Sequence, residues 1–151
     1  MQVSELMTQK TPAVTPETTV EALARLLLEQ NLSGVPVVDD GGELVGIVSE
    51  GDLLHKECTP RLPNFINLLG AVIFYNGVDR YDEDFKKLMA RQVSEIMTDD
   101  VITVLEDTDV EEAAGLMIEN QIRQLPVVDV KNHLLGVVRR SDIIKLLLPR
   151  E

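Results

Sequence analysis

The sequence has few of the residues that build reactive or metal-binding sites. It contains one cysteine, Cys58, and two histidines among 151 residues. A single cysteine excludes an internal disulfide and a cysteine-based metal site, so a buried or idle thiol is the simplest interpretation. His55 and His133 lie in unrelated contexts, without the spacing of a metal site. Because no nucleophile stands beside a base and no phosphate loop carries a lysine, the sequence favours a protein that is not an enzyme.

Basic residues and long apolar runs are also scarce. Fourteen Lys and Arg against 26 Asp and Glu give a formal net charge of −12, which repels polyanions and argues against nucleic-acid binding. A small anionic ligand would need locally placed cations. The longest apolar run, around residues 68–75, is far shorter than the roughly 20 residues that span a bilayer. Met1 leads directly into patterned sequence, so we expect a cytoplasmic protein without a membrane partner.

The dominant feature of the sequence is an internal repeat. Residues 3–54 align with residues 93–144 at a constant offset of 90 without a gap, and 20 of the 52 aligned positions are identical. A unit of this size buries only about 60% of its unfolded surface, so we expect the two copies to share one core and a pseudo-twofold axis. The predicted organisation is one globular unit that contains a first repeat over 1–58, a helical insert over 59–90 and a second repeat over 91–151.

Each copy predicts the order strand, helix, strand, strand, helix. Thr18 or Thr19 can cap the first helix, and Thr108 and Asp109 open its counterpart. The following Val-Pro-Val-Val or Leu-Pro-Val-Val run is typical of a strand buried on both faces. Residues 39–42 predict a hairpin turn, and residues 130–133 predict a weaker one. The expected fold class is therefore α/β, with two β-α-β-β-α repeats.

The insert contains every aromatic residue of the chain: Phe65, Phe74, Tyr75, Tyr81 and Phe85. Aromatic side chains supply large contact areas, so we expect two helices here that pack on the repeats, on a second subunit or on a partner. Two interpretations stay open. The insert either completes the core or acts as a lid or dimer element, and Tyr75 is a candidate for stacking against the planar ring of a ligand.

The ordered motifs resemble a known family. Met-Thr, a short strand, an amphipathic helix, Pro-Val-Val-Asp, and a Gly-hydrophobic-hydrophobic strand followed by Asp occur twice at the same spacing. This pattern resembles a tandem pair of cystathionine-β-synthase (CBS) domains. The resemblance implies an α/β pair packed sheet to sheet, with two clefts that commonly bind AMP, ADP, ATP or, less expected here, S-adenosylmethionine. It also implies a homodimer and no catalytic cofactor.

The resemblance further implies which residues would hold a ligand. Asp52 and Asp142 occupy the family's ribose position, where the two oxygens of a carboxylate can accept from both vicinal hydroxyls. The first expected set consists of Ser49, Asp52, Thr98, Thr103, Ile122 and Arg123. The second expected set consists of Arg139, Asp142, Thr8, Ala13, Leu32 and Ser33.

The two sets are not equivalent. Arg139 stands where the first copy has Ser49, and Ala13 stands where the second copy has Thr103. Arginine offers a bidentate clamp for phosphate, so Arg139 and Arg140 are candidates for a phosphate contact. They could also fill the cleft or serve only as surface counterions.

Simpler roles and a different function remain open at this point. Asp52 and Asp142 could be helix caps worth about 1 kcal/mol each, and Thr8 and Thr98 could be turn caps. The favoured function is a regulatory module that senses an adenine nucleotide in the clefts and transmits occupancy, through a conformational or dimer change, to an effector protein. The alternative is a structural module for dimerisation or partner docking with unoccupied clefts.

Overall fold

The computed structural model describes residues 1–55 and 90–149. In the first repeat, helix α1 spans Val20–Glu29, strands β1 and β2 span Gly34–Val38 and Leu44–Ser49, and helix α2 spans Glu50–His55. In the second repeat the elements are β3 (Val104–Leu105), α3 (Val110–Glu119), β4 (Gln124–Val128), β5 (Leu134–Arg139) and α4 (Arg140–Lys145). The 3-10 turns Val3–Glu5 and Val93–Glu95 precede them. The predicted α/β class is confirmed, while the predicted insert helices, Cys58 and Tyr75 lie outside the described residues.

Threonine side chains define the start of the first long helix. Thr19 is the N-cap of α1, and its hydroxyl accepts from the backbone N–H of Ala22 at 3.1 Å. Thr18 instead closes the preceding turn by accepting from the N–H three residues earlier at 3.1 Å, and Thr108 does the same in the second repeat at 3.1 Å. Of the two threonines that the sequence proposed as caps, Thr19 is therefore the one that caps the helix.

The leading strand of each repeat is short. In the first repeat it is a single parallel bridge between Val14 and Val37. In the second repeat β3 pairs in parallel with β4 over two residues. Pro12 and Pro16 flank Val14, and because proline has no N–H to donate, the ladder cannot extend in either direction.

The described chain divides into two compact units that cut across the sequence repeats. Among the described residues, unit 1 consists of Met1–Ala13, Val38–Gly46 and residues 100–149, and unit 2 consists of Val14–Val37 and residues 47–55 and 90–99. The core of unit 1 joins Val3 from the N-terminal segment to side chains of the second repeat, namely Val104, Ala113, Met117, Leu125, Val127 and Val138. Each unit therefore takes the leading segment of one repeat and the main body of the other.

Reciprocal backbone hydrogen bonds hold the exchanged segments. In unit 1 the N–H of Thr8 donates to the carbonyl of Val137 at 3.0 Å, and the N–H of Val137 donates back at 3.1 Å. In unit 2 Thr98 and Ile47 exchange the same two bonds at 2.8 and 2.9 Å. A Cβ atom at Gly136 would lie 2.6 Å from the carbonyl oxygen of Thr8. Glycine at this position therefore permits the close approach of the exchanged segment.

The two hairpin turns bond to each other within unit 1. The N–H of Leu44 donates to the carbonyl of Asn132 at 2.9 Å, and the N–H of Leu134 donates to the carbonyl of Gly42 at 3.1 Å. The side-chain amide of Asn132 also donates to the carbonyl of Leu44 at 2.8 Å. Gly42 and Asn132 both have positive φ, 82° and 65°, a conformation that asparagine tolerates better than most residues. Sequence reasoning predicted both turns but missed this role of Asn132.

Candidate functional site

The two aspartates at the predicted ribose positions lie where a strand passes directly into a helix. Strand β2 ends at Ser49, and the Asp52 carboxylate accepts from the backbone N–H of Ser49 at 2.9 Å and from its hydroxyl at 3.3 Å. The Asp142 carboxylate likewise accepts from the N–H of Arg139 at 2.9 Å. Both aspartates therefore make the capping contact that was the simpler interpretation. The cap also fixes each carboxylate in one orientation.

A capping carboxylate keeps the capacity to accept further hydrogen bonds. An ionised carboxylate offers about four lone-pair positions on its two oxygens, and each described cap contact uses one oxygen, Oδ2. The other oxygen of Asp142 lies 4.0 Å from the Lys145 ammonium, and the Asp142 side chain keeps 16% of its surface exposed. At Asp142, the capping role and a contact with ligand hydroxyls are therefore compatible.

The exchanged threonines lie on the strands that lead to these aspartates. Thr98 pairs with Ile47, two residues before Ser49, and both belong to unit 2. Thr8 pairs with Val137, two residues before Arg139, and both belong to unit 1. Each unit thus brings together one Met-Thr segment with the strand–helix junction of the other repeat. This is the combination that the family resemblance implied for Ser49, Asp52 and Thr98 and for Arg139, Asp142 and Thr8.

The residues that precede each Pro-Val-Val run lie beside the junction of their own repeat. In unit 2 the carbonyl of Ser33, which follows Leu32, accepts from the N–H of Glu50 at 2.9 Å. In unit 1 the backbone N–H of Arg140 donates to the carbonyl of Arg123 at 2.8 Å. The guanidinium of Arg140 donates to the carbonyl of Ile122 at 3.2 Å. The antiparallel register that pairs Gln124 with Arg139 produces this arrangement. Sequence reasoning missed these contacts, because a one-dimensional pattern does not show which residues the hairpin register brings opposite each other.

The remaining predicted residues divide between the units. Ala13 and Thr103 both belong to unit 1, together with Arg139 and Asp142. The predicted contributions of Thr103, Ile122 and Arg123 to the Ser49 set stay predictions. The same holds for the contributions of Leu32 and Ser33 to the Arg139 set.

Residues 1–55 and 90–149 contain no group of three or more His, Cys, Asp and Glu side chains that could hold a metal ion. Over the same residues, no helix is long and apolar enough to cross a membrane.

Comparison with known proteins identifies the architecture. The CBS domain model matches residues 3–57 and 93–149. The CBS domain-containing protein CBSX2, chloroplastic, of Arabidopsis thaliana is 33% identical over 150 residues, which are 97% of this chain and 63% of that protein. The chain thus spans somewhat less than two thirds of the length of this relative.

Two solved structures contain ligands. A crystal structure of CBSX2 in complex with AMP is 29% identical, with a TM-score of 0.73, and the match covers 97% of this chain and 95% of the other. A structure of the CBS domain pair of protein MJ0100, in complex with 5′-methylthioadenosine and S-adenosyl-L-methionine, is 26% identical, with a TM-score of 0.66 and coverage of 97% and 95%. The matched residues, the duplicated strand–helix junctions and the likeness to these structures show that this chain belongs to the CBS domain family, as a tandem pair.

Proposed function

We propose that this protein is a regulatory module that binds adenosine-containing ligands at the strand–helix junctions marked by Asp52 and Asp142. The observation that carries the proposal is the geometry of the junctions. In each unit, a half-buried aspartate is held by its own cap, and an exchanged threonine segment pairs with the strand that leads to it. The AMP and S-adenosylmethionine complexes of similar CBS pairs support this ligand class.

AMP, ADP or ATP is the preferred ligand class. A carboxylate suits the vicinal hydroxyls of ribose, and Arg139 and Arg140 supply cations for phosphate close to Asp142. S-adenosylmethionine, which has ribose but no phosphate, is the less favoured ligand. The proposal includes no catalytic cofactor and no catalysed reaction.

The exchanged segments suggest how occupancy becomes a signal. Thr8 and Thr98 are each held in their unit by two backbone hydrogen bonds to a strand of the other repeat. A ligand that contacts a threonine and the neighbouring aspartate would stabilise the exchanged arrangement over a looser one. Such a ligand shifts the balance only by its difference in affinity for the two arrangements. The output would then reach an effector protein.

A homodimer is the second part of the proposal. Leu28 on α1 and Ile118 on α3 are 82% and 74% exposed, and they are equivalent positions of the two repeats. Leu54 on α2 and Ile144 on α4 form a second exposed equivalent pair. Apolar residues exposed at the same place in both repeats fit a self-complementary contact with a second copy.

The dimer is tested by adding charge at the two most exposed positions. Leu28→Glu combined with Ile118→Glu should convert a dimer into a monomer in analytical ultracentrifugation, because two buried glutamates would have no partner. Gln30→Glu adds one charge at an exposed neighbouring position and is the matched control. A dimer that persists in the double variant, or a parent protein that sediments as a monomer, contradicts this part of the proposal.

Ligand binding is tested by calorimetric titration of AMP, ADP, ATP and S-adenosylmethionine into protein shown by mass spectrometry to be free of nucleotide. Asp52→Asn and Asp142→Asn keep an oxygen for the cap but lose the charge that strengthens a ribose contact. Each should weaken a different site by about tenfold to a hundredfold. Asp40→Asn, at an exposed turn position, is the control and should bind like the parent.

Two outcomes of this titration contradict the proposal. If no adenosine compound binds, the alternative is favoured, namely a structural dimerisation or partner-docking module with unoccupied clefts. The exposed pairs Leu28 and Ile118, and Leu54 and Ile144, would then form the surface that contacts a second copy or a partner. If a ligand binds but both aspartate variants bind like the parent, the assignment of the ribose contacts is wrong.

A further inference from the structure

The two junctions have the same backbone geometry but opposite charge. Residues 49–52 read Ser-Glu-Gly-Asp, with a formal charge of −2, and residues 139–142 read Arg-Arg-Ser-Asp, with a formal charge of +1. The cap contact is 2.9 Å long in both. The backbone N–H of the first helical residue donates a hydrogen bond to the segment before Pro-Val-Val. This bond is 2.9 Å long at the Asp52 junction and 2.8 Å long at the Asp142 junction. The difference between the junctions therefore lies in their side chains.

Neighbouring positions extend the contrast. The carbonyl that receives the first helical N–H belongs to Ser33 in unit 2 and to Arg123 in unit 1. The chain after the paired threonine repeats the pattern, because Gln-Lys follows Thr8 and Asp-Asp follows Thr98. Each of these differences makes the surroundings of Asp142 more positive than those of Asp52.

Among residues 1–55 and 90–149, no carboxylate pairs with Arg139 or Arg140 of unit 1. Within the described part of the chain, no Asp or Glu oxygen lies within 4.0 Å of the guanidinium of Arg139 or Arg140. Arg140 uses one Nη2 contact on the carbonyl of Ile122, and its remaining donors are not engaged by described residues. In a chain of net charge −12, carboxylate partners are abundant, so two adjacent arginines without one are available to a ligand anion.

We propose that the two junctions sort adenosine compounds by charge. The Asp142 junction selects a phosphorylated adenosine compound, because guanidinium groups make charge-assisted bonds to phosphate oxygens. The Asp52 junction selects an adenosine compound that is neutral or cationic where a phosphate would stand, because Glu50 there, at the position of Arg140 in the other repeat, repels a phosphate. This inference rests on the proposed function and restricts its preference for AMP, ADP or ATP to the Asp142 junction, so that the two copies of one site have different specificities.

Single-junction variants and two probes separate the specificities. Asp52→Ala leaves the Asp142 junction intact, and Asp142→Ala leaves the Asp52 junction intact. ATP and adenosine are titrated into each protein at fixed ionic strength. The ratio of the adenosine Kd to the ATP Kd should be about tenfold to a hundredfold higher for Asp52→Ala than for Asp142→Ala. The ATP affinity of Asp52→Ala should also fall as salt rises, because screening weakens exposed charge contacts.

Charge exchange in the Asp52→Ala background tests the cause. Arg139→Ser combined with Arg140→Glu gives the Asp142 junction the Ser and Glu side chains that begin the Asp52 junction. This double variant should lose the preference for ATP while it still binds adenosine. Arg140→Gln alone is the milder variant, which should lower the ATP affinity in the same direction if the double variant is unstable. In the Asp142→Ala background, Ser49→Arg with Glu50→Arg should create a preference for ATP.

The outcomes distinguish this inference from the proposed function. Equal Kd ratios in the two single-junction variants, or charge exchange that leaves the ratios unchanged, would overturn the inference while the proposed function stands. If neither ATP nor adenosine nor S-adenosylmethionine binds the parent protein, the proposed function fails and the charge sorting fails with it. Tighter ATP binding at the Asp52 junction than at the Asp142 junction would also overturn the inference.

Discussion

Gly136 is the position at which a single methyl group should interfere with the segment exchange. The Cβ of an alanine would lie 2.6 Å from the carbonyl oxygen of Thr8 and 3.2 Å from the sulfur of Met7. The nearer atom belongs to the backbone, so it cannot move away by a change of rotamer. The N-terminal segment must shift, and the shift acts directly on the two hydrogen bonds between Thr8 and Val137.

The expected cost of Gly136→Ala follows from these contacts. Inserting a methyl group into a well-packed region costs about 1–3 kcal/mol, and weakening two backbone hydrogen bonds costs about 0.5–1.5 kcal/mol each. Because a shift relieves part of the overlap as it weakens the bonds, these costs do not add fully. We expect the free energy of unfolding to fall by about 2–4 kcal/mol. The melting temperature of a chain of this length should then fall by roughly 4–16 °C.

Urea unfolding followed by circular dichroism measures this change, and Gly115→Ala is the matched control. Gly115 lies inside α3, where an added Cβ meets no atom within 4 Å. Alanine there should raise the free energy of unfolding by about 0.5–1 kcal/mol, because a helical glycine loses more backbone entropy than alanine on folding. If Gly136→Ala unfolds at the same urea concentration as the parent, the close approach of Thr8 is wrong.

Substitutions at three further positions test individual contacts by urea unfolding. Thr19→Ala removes the side-chain cap of α1 and should cost about 1 kcal/mol; an unchanged stability would show that the cap contributes nothing. Asn132→Ala should cost about 2–3 kcal/mol, because it loses the bond to Leu44 and places alanine at positive φ. Asn132→Gly should cost less than alanine, and the reverse order would contradict the role of φ. The N–H groups of His133 and Lys131 donate to Asp129 and hold its pKa below the usual range. Its contribution to stability is therefore present above the unfolded-state pKa of about 4 and is lost as the pH falls through the lower folded-state pKa. Asp129→Asn should flatten this acid limb, and an identical pH profile would contradict the assignment.

Several features of the fold follow from short-range chemistry that the sequence displays directly. The position of the α1 cap, the two hairpin turns and the buried Pro-Val-Val strands depend on residues within a few positions of each other. Thr19 needs only the N–H of Ala22, and the Asp39 carboxylate needs only the N–H groups of the turn that follows it. Because such contacts join residues that are close in the sequence, a residue pattern can indicate them. The pattern indicated a leading strand in each repeat, but not that it is limited to a bridge at Val14 and to Val104–Leu105.

The candidate site was predictable in part. The aspartates and threonines stand out because their motifs occur twice at one offset. The structure confirms the predicted strand before each aspartate and the predicted helix that contains it. The contacts of Ile122 and Arg123 with Arg140 were not predictable, because they depend on the register of β4 against β5. A shift of one residue in that register would turn every side chain of the strand to the other face.

The sequence by itself determined that this protein is two copies of one unit, that the unit is an α/β CBS repeat, and that the charges around Asp52 and Asp142 are opposite. These properties follow from the identity and the spacing of the residues. Only the tertiary structure decided that Thr8 pairs with Val137 and Thr98 with Ile47, so that each compact unit contains the leading segment of the other repeat. The physical reason is that both repeats contain the same Met-Thr segment and the same Gly-hydrophobic-hydrophobic strand, including Gly46 and Gly136 at equivalent positions. The local pattern therefore fits pairing within a repeat and pairing across repeats equally, and the path of the folded chain decides between them.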